Sequence, residues 1–117
     1  MIITLTETGA PFTDQIQDQI RGLIATGVLA ADQRLPSVRQ LAADLGVAPG
    51  TVAKAYKALE GEKILVTRTG SGTRVSDSVS ATPRAVLTAA HRLVAESKHE
   101  GLSRSETMRV LGAIWPD

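Results

Sequence analysis

The sequence predicts a mainly helical protein with one small β-hairpin: a winged helix-turn-helix followed by a two-helix C-terminal tail. Two short amphipathic segments are separated by a turn that contains glycine, and a glycine-rich connection then lies between two β-prone runs. Two further amphipathic segments follow at the end of the sequence. A chain of 117 residues is long enough for one compact domain with a small appendage.

The first helix is predicted to begin near Pro11 and Phe12, because proline is well tolerated in a first turn. Its apolar side chains recur at three- and four-residue steps and therefore share one face. Gly27 is placed to end this helix in a left-handed conformation. Residues 2–5 are compatible with either a short strand or a loose terminus, and residues 33–36 are a connector to the next helix.

The helix-turn-helix is predicted from two start signals and one stop signal. Ser37, followed three residues later by Gln40, is the pattern of a capping box, in which each side chain satisfies a free backbone N–H at the helix start. Gly46 ends this helix, and Pro49 suits the first turn of the third helix. The predicted inward-facing side chains are Val38, Leu41, Ala42 and Leu45 in the second helix and Val52, Ala55, Tyr56 and Leu59 in the third.

The wing is predicted from the β-prone runs 64–67 and 73–75, which flank residues 69–72. Two glycines in such a short connection are typical of a hairpin turn. A helix-turn-helix followed by a basic hairpin is the element order of a winged helix.

The chain is predicted to divide into a winged helix over residues 1–76, a polar linker over 77–82 and a helical tail over 83–117. Two amphipathic helices of this length cannot bury their apolar faces against each other alone. They need a partner surface, either the first domain or the same tail of a second chain. The side chains expected in a dimer contact are Val86, Leu87, Ala90, Leu93, Val94, Met108, Leu111, Ile114 and Trp115.

The caps of the tail helices are also predicted from the sequence. Thr82 is expected to cap a helix that opens at Pro83, and Gly101 is expected to end it. Ser103 and Glu106 form the pattern of a second capping box, at the start of the last helix.

The charge is unevenly distributed along the chain. Residues 1–32 carry a net charge of −3, whereas residues 33–76 hold seven basic and three acidic side chains, for a net +4, and the rest is balanced. A polyanion would therefore dock on the middle third, where the second helix of a helix-turn-helix enters the DNA major groove. The candidate DNA-binding residues are Arg39, Pro49, Gly50, Thr51, Lys54, Lys57, Arg68, Thr69, Gly70, Ser71, Gly72 and Arg74.

Each of these residues also has a simpler interpretation. The lysines of the third helix could be ordinary surface lysines, and Arg39 could pair with Asp44 or Glu60 at the surface. The function class also has alternatives: a winged-helix protein-interaction module that never binds DNA, or an amino-terminal piece of a longer regulator fused to an aminotransferase-like domain.

Composition excludes several other classes. There are no cysteines, no apolar run near the length of a membrane span, and no basic and apolar leader at the N-terminus, so we expect a cytoplasmic protein. His91 and His99 have no regular acidic companions, and no nucleophile–base set is evident. We therefore expect no metal, no cofactor and no enzymatic activity; the residues do not identify any small effector.

The segments LPSVRQLAADLGVAPGTVAKAYKALE and TRTGSGTRV, together with PFTDQIQDQIRGLIATGVLAADQ upstream, resemble the DNA-binding domain of GntR-type bacterial regulators. The resemblance covers residues 11–76. The short two-helix tail, with no effector domain, is most similar to the YtrA subfamily. This resemblance implies a homodimer formed through the tail, frequent control of transporter operons, and binding to an inverted-repeat operator, most simply as a repressor.

The family's DNA-contacting positions correspond here to Arg39, Thr51 and Gly70, with Lys54 and Arg74 as backbone contacts. Two departures stand out. Residues 48–50, Ala-Pro-Gly, replace the Ser-Arg-Asn or Ser-Arg-Thr that is frequent in the family, which removes a serine cap and a base-reading arginine. Lys63 replaces the usual glycine after the third helix, so that a lysine must adopt the left-handed conformation or the helix must end differently.

Overall fold

The computed structural model describes residues 1–116, in which five helices and one antiparallel hairpin follow in the predicted order. Contacts group the chain into two units, the first ending at Ala81 and the second beginning at Thr82. The predicted mainly helical class with a hairpin wing is confirmed. The elements are α1 (Phe12–Ala25), α2 (Val38–Leu45), α3 (Pro49–Gly61), β1 (Leu65–Arg68), β2 (Gly72–Val75), α4 (Arg84–His99) and α5 (Arg104–Ile114).

The core of the first unit forms where α1 and α2 both pack against α3. The inward stripe predicted for α3 is fully buried, and α1 contributes three isoleucines spaced four residues apart. Val38 and Leu45 of α2 are partly buried against this core. The buried apolar side chains are Ile3, Ile16, Ile20, Ile24, Leu29, Leu35, Leu41, Ala42, Val52, Ala55, Tyr56, Leu59, Leu65 and Val75.

The start of α2 departs from the sequence prediction in one respect. The hydroxyl of Ser37 accepts the backbone N–H of Gln40 at 3.1 Å, as expected for an N-cap. The reciprocal half of the predicted capping box is wrong, because the Gln40 amide instead donates to the Asp44 carboxylate at 2.9 Å. Residues four apart are neighbours on a helix face, and a carboxylate is a strong acceptor.

The N-terminal segment is neither the regular strand nor the loose terminus that the sequence allowed. Gln19 donates to the carbonyl of Thr4 at 2.7 Å and accepts its N–H at 2.9 Å. Gln15 exchanges the same pair of bonds with Thr6, at 2.8 and 2.9 Å. Two glutamine amides on α1 thus hold the segment in place while Ile3 is buried in the core.

The connector predicted over residues 33–36 pairs with β2 through backbone hydrogen bonds and one isolated antiparallel bridge. The N–H of Leu35 donates to the Thr73 carbonyl at 2.8 Å, and the N–H of Val75 donates to the Gln33 carbonyl at 2.9 Å. Arg34 and Arg74 form the antiparallel bridge between them. The connector therefore fixes the base of the wing to the body of the domain.

The end of α3 follows the first of the two possibilities raised by the missing glycine. Glu62 is the C-cap of the helix, and Lys63 adopts the left-handed conformation with φ 62°. Glu62 forms an ion pair with Arg21 of α1, so the C-terminus of α3 is bound to the first helix. The left-handed backbone of Lys63 is strained because the residue has a Cβ, whereas glycine would adopt this conformation without strain.

The second unit consists of α4 and α5. The helix α4 begins at Arg84 with Pro83 as its N-cap and no side-chain cap, so the prediction that Thr82 caps it is wrong by one residue. The capping box of Ser103 and Glu106 is confirmed, with bonds of 3.1 and 3.0 Å. Hydrogen bonds from the backbone and side chain of Ser103 lower the pKa of the Glu106 carboxyl.

Neither tail helix contains a buried residue within this unit. Among the side chains predicted for a dimer contact, Leu87 and Leu111 are partly buried and the other seven are exposed. Ile114 and Trp115 are 72% and 71% exposed. Leu102 and Val110, which the sequence analysis did not single out, are also exposed apolar side chains. Along the described residues, no helix has the length and apolar character to cross a membrane.

Candidate nucleic-acid interface

The helix α3 presents two contrasting faces. Its inner face is closed by Val52, Ala55, Tyr56 and Leu59, all buried. Because 3.6 residues make one turn, the residues between them lie on the opposite side. The outer side chains are Pro49, Gly50, Lys54 and Lys57, all exposed, with Thr51 partly buried at the edge.

The start of α3 is small and open. Ala48 is the N-cap and supplies no side-chain hydrogen bond, and Pro49 occupies the first turn. A Cβ added at Gly50 would meet no atom within 4 Å, so another surface can approach the backbone closely here. The positive end of the helix dipole points in the same direction and favours an anion.

Arg39 is exposed in the first turn of α2. Within residues 1–116, it forms no ion pair with Asp44 or Glu60, the two partners that a purely structural role would require. Asp44 is bonded to the amide of Gln40, and Glu60 accepts the hydroxyl of Thr67 at 2.5 Å. The guanidinium is therefore available to an external acceptor.

Tyr56 positions the two helices relative to each other. Its hydroxyl donates to the carbonyl of Pro36 at 2.8 Å, immediately before the N-cap of α2. Burial raises the pKa of the phenol well above its ordinary range. The spacing of Tyr56 in the sequence predicts its burial but does not predict the acceptor of its hydroxyl.

The wing has an exposed, left-handed tip. Gly70 and Gly72 have φ values of 83° and 72°, and the N–H of Ser71 donates to the Arg68 carbonyl at 3.1 Å. Such backbone conformations favour glycine. Arg68, Thr69 and Gly70 are exposed, whereas Ser71, Gly72 and Arg74 are partly buried.

A chain of hydroxyl contacts joins α3 to the wing. The Thr67 hydroxyl of β1 donates to the carboxylate of Glu60 on α3 at 2.5 Å. The same hydroxyl lies 3.0 Å from that of Thr73 on β2. Both wing strands are thereby tied to the helix whose outer face carries Lys54 and Lys57, and none of the three linking residues was predicted from the sequence to have this role.

No ion pair forms between two residues of the segment 33–76, which carries a net charge of +4. Along the described chain, both ion pairs within 4.0 Å involve Arg21, on α1. Arg39, Lys54, Lys57 and the wing arginines therefore present uncompensated charge to solvent, an arrangement suited to a polyanion.

Residues 12–75 match the family of bacterial regulatory proteins known as the gntR family. The chain belongs to the GntR family. The match covers the whole winged helix, from the first residue of α1 to the last residue of β2.

Two GntR-type relatives are similar in sequence. The HTH-type transcriptional regulator Rv1152 of Mycobacterium tuberculosis is 40% identical over 111 residues, which cover 95% of this chain and 90% of that protein. The HTH-type transcriptional repressor YtrA of Bacillus subtilis is 40% identical over 75 residues, which cover 64% of this chain and 58% of that protein. The first similarity extends through the tail.

Two solved structures support the same assignment. YtrA from Sulfolobus acidocaldarius, a GntR-family transcription factor, has a TM-score of 0.63 and 38% identity, over 81% of this chain and 99% of that one. AraR(DBD) in complex with operator ORX1 has a TM-score of 0.56 and 29% identity, over 65% of this chain and 92% of that one. This chain is a GntR-family DNA-binding transcriptional regulator, and the family is not one of enzymes.

Proposed function

We propose that this GntR protein is a homodimeric repressor that binds an inverted-repeat operator, with α3 in the major groove and the wing beside it. The observation that carries the proposal is the outer face of α3. Its inner face is wholly buried, and its outer face offers small residues at the start and two free lysines further along. A helix of this kind places its N-terminal residues against base edges.

The proposed contacts divide into two kinds. Arg39 and Thr51 are placed to read bases, since arginine recognises guanine and a threonine can contact a thymine methyl group. Lys54 and Lys57 neutralise phosphates, which fixes the register without reading sequence. Pro49 and Gly50 let the helix approach closely, and the wing residues Arg68, Thr69, Gly70, Ser71, Gly72 and Arg74 contact the neighbouring groove and backbone.

The departure at residues 48–50 has a consequence for specificity. In place of a capping serine and an arginine, α3 begins with Ala48 and Pro49, neither of which can donate a side-chain hydrogen bond. We infer that this regulator reads fewer bases directly from the start of α3, and that Arg39 carries a larger share of the discrimination.

The tail is proposed to form the dimer, with residues 1–76 as the DNA-binding domain and 77–82 as the linker. Monomeric proteins rarely expose large contiguous apolar surface. In α4 and α5 the apolar side chains Val86, Val94, Met108 and Ile114 are each at least half exposed. A groove of about 380 Å³ between α4 and α5 is lined in part by Val94, Leu102 and Met108. It offers a further contact surface for a second copy of the chain.

Two-fold symmetry in the protein demands two-fold symmetry in the operator. A dimer bound across a promoter blocks polymerase by occupancy, which is the simplest route to repression. YtrA of Bacillus subtilis is a repressor, and its similarity to this chain supports repression, rather than activation, by this regulator. We expect the protein to act in the cytoplasm, where the chromosome lies.

The dimer is tested by sedimentation equilibrium of the full chain and of two matched variants. Ile114→Ser removes a 72% exposed side chain from the tail, and Val28→Ser removes a 62% exposed side chain from the first unit. We expect twice the chain mass for the wild type and for Val28→Ser, and a shift toward the monomer for Ile114→Ser. A wild-type monomer at all concentrations would contradict the proposed dimer.

The sign of regulation is tested with a reporter placed behind the promoter that the protein binds. Deletion of the gene is expected to raise reporter expression, and supply of the Lys54→Gln, Lys57→Gln double variant is expected to leave it high. Reporter expression that falls on deletion would identify an activator instead.

A further inference from the structure

The two faces of the wing have different chemistry. The cross-strand pairs Leu65–Val75 and Thr67–Thr73 lie on the inner face, toward the core and α3. Because side chains alternate along a strand, the other two pairs, Val66–Arg74 and Arg68–Gly72, lie on the opposite face. This outer face consists of Val66, Arg68, Gly72 and Arg74 from the hairpin and Arg34 from the connector.

Arg34 belongs to this face because it is the bridge partner of Arg74. Directly opposed residues of an antiparallel pair project to the same side of the sheet. Leu35, the next residue, is buried, as alternation requires. The guanidinium of Arg34 therefore lies on the outer face although its backbone belongs to a segment 30 residues or more before the hairpin.

Gly72 provides the space for that guanidinium. A Cβ added to Gly72 would lie 3.3 Å from Nε and 3.4 Å from one terminal nitrogen of Arg34. Since Arg68 is the cross-strand partner of Gly72, the bare glycine backbone separates Arg34 on one side from Arg68 on the other. The Arg34 guanidinium thus lies over a position that has no side chain, on the same face of the hairpin as Arg68 and Arg74.

These charges are uncompensated in the free protein. Throughout residues 1–116, no carboxylate lies within 4.0 Å of Arg34, Arg68 or Arg74. Arg74 donates one N–H to the carbonyl of Asp32 at 3.1 Å, which orients it but leaves its other donors free. Like charges directly opposite each other destabilise a strand pair, so we expect Arg34 and Arg74, which are bridge partners, to repel each other in the absence of an anion.

We propose that Arg34, Arg68 and Arg74 form one phosphate-binding face, and that Arg34 is a further DNA-binding residue of this regulator. The inference rests on the proposed docking of the wing and adds to it a contact from the connector before α2. The ligand is the phosphodiester backbone, because guanidinium groups bind phosphate through paired hydrogen bonds and this face is the flat side of a sheet.

The experiment measures the salt dependence of binding for four proteins. Wild type, Arg34→Gln, Arg34→Lys and Arg92→Gln are titrated with a duplex of mixed sequence and with a duplex enriched from a random library. Arg92 is the control: it is an exposed arginine on the polar side of α4, so its removal changes net charge equally. Log affinity falls as log salt concentration rises, and each phosphate contact makes this slope steeper by about 0.9.

For Arg34→Gln we expect the slope to become shallower by about one. We also expect the affinity at physiological salt to fall roughly fivefold, by a similar factor for both duplexes. For Arg92→Gln we expect the wild-type slope. The variant Arg34→Lys retains a charge and is expected to keep a slope near that of the wild type. The thermal midpoint of free Arg34→Gln is expected to equal or exceed that of the wild type, because a like-charge pair has been removed.

An unchanged slope for Arg34→Gln, with a lowered thermal midpoint, would overturn the inference and make Arg34 a structural brace of the wing. That result would leave the proposed docking of α3 intact. Absence of any salt-dependent duplex binding by the wild type would overturn both proposals together, so the two failures are distinguishable.

Discussion

The two units of this regulator differ in where their apolar side chains lie. In residues 1–81 the apolar faces of three helices close on one another, and the buried apolar side chains of the described chain all belong to this unit. In the tail, α4 and α5 have equally regular apolar stripes but no buried residue. An amphipathic pattern therefore predicts that an apolar face will be covered, but it does not say whether the same chain covers it.

The polar groups show the same contrast. In the first unit, hydrogen bonds join distant segments: Tyr56 to Pro36, Gln19 to Thr4, and Thr67 to Glu60. In the tail, the side-chain hydrogen bonds of the described residues are local, within the N-terminal turn of α5. The first unit is held together by its own long-range contacts, whereas the described residues of the tail form no side-chain hydrogen bond to a distant segment.

A matched pair of leucine truncations gives the largest expected effect. Leu59→Ala removes a fully buried side chain of α3 and is expected to lower the free energy of unfolding by about 2–5 kcal/mol. Leu93→Ala removes a 37% exposed side chain of α4, and its cost is expected to depend on protein concentration, because a dimer contact is lost. Thermal unfolding at several concentrations measures both. A concentration-independent loss for Leu93→Ala equal to that of Leu59→Ala would mean that Leu93 stabilises its own chain and not a dimer.

Arg39→Ala tests the exposed surface of the first unit. If Arg39 reads a base, truncation is expected to weaken operator binding by about 1–3 kcal/mol and to relax specificity at one position of each half-site. The thermal midpoint should stay unchanged, because Arg39 forms no ion pair within the described chain. Fluorescence anisotropy with operator and single-base variants measures this, with Arg92→Ala as control. Equal affinity of Arg39→Ala and wild type would remove Arg39 from the interface.

Tyr56→Phe tests the hydrogen bond between α3 and the start of α2. Loss of the donor to the Pro36 carbonyl is expected to cost about 1 kcal/mol of stability. The comparable change in the tail is Ser103→Ala, which removes a local cap and is expected to cost about 1 kcal/mol of helix stability there. Urea unfolding measures the first, and helix content by circular dichroism measures the second.

The same phenol predicts a pH dependence. Burial raises the pKa of Tyr56 in the folded state, so its contribution to stability is complete below the unfolded pKa, near 10, and is lost as pH rises above it. Wild type is therefore expected to lose stability at high pH more steeply than Tyr56→Phe. Because the chain has one tyrosine, absorbance of the tyrosinate reports this group alone. Parallel pH profiles for the two proteins would contradict the assignment.

Two substitutions in the left-handed region give the smallest expected effect. Lys63 has φ 62° and Gly46 has φ 68°, both within the first unit. Lys63→Gly is expected to raise the free energy of unfolding by about 1 kcal/mol, and Gly46→Ala to lower it by a similar amount. Opposite shifts in urea midpoint are the expected result; a destabilised Lys63→Gly would mean that its side chain contributes more than the backbone strain costs.

Local patterns predicted most of the fold. The glycines at positions 27, 46 and 101 end helices in the left-handed conformation, and Pro49 opens α3, because these residues act through their own backbone. The hairpin followed from two β-prone runs around a glycine turn. The capping residues were predicted less accurately. The Gln40 amide donates to Asp44 instead of to the backbone, and the N-cap residue of α4 is Pro83 rather than Thr82.

What local patterns could not predict depends on segments that are distant in sequence. The bridge from Arg34 to Arg74, the glutamine pairs that hold residues 4 and 6, and the acceptor of Tyr56 all join positions far apart along the chain. Nothing in the sequence around Arg34 distinguishes it from other surface arginines. Its place beside the wing becomes evident only when the connector is seen to pair with β2.

Selection of bound duplexes from a random library is the direct test of whether this regulator binds DNA as a two-fold dimer. An exposed α3 face on each subunit of a two-fold dimer predicts that the enriched sequences converge on an inverted repeat with a fixed spacing between half-sites. Enrichment of a single, asymmetric half-site by a pure and stable protein, or no enrichment at all, would contradict the account.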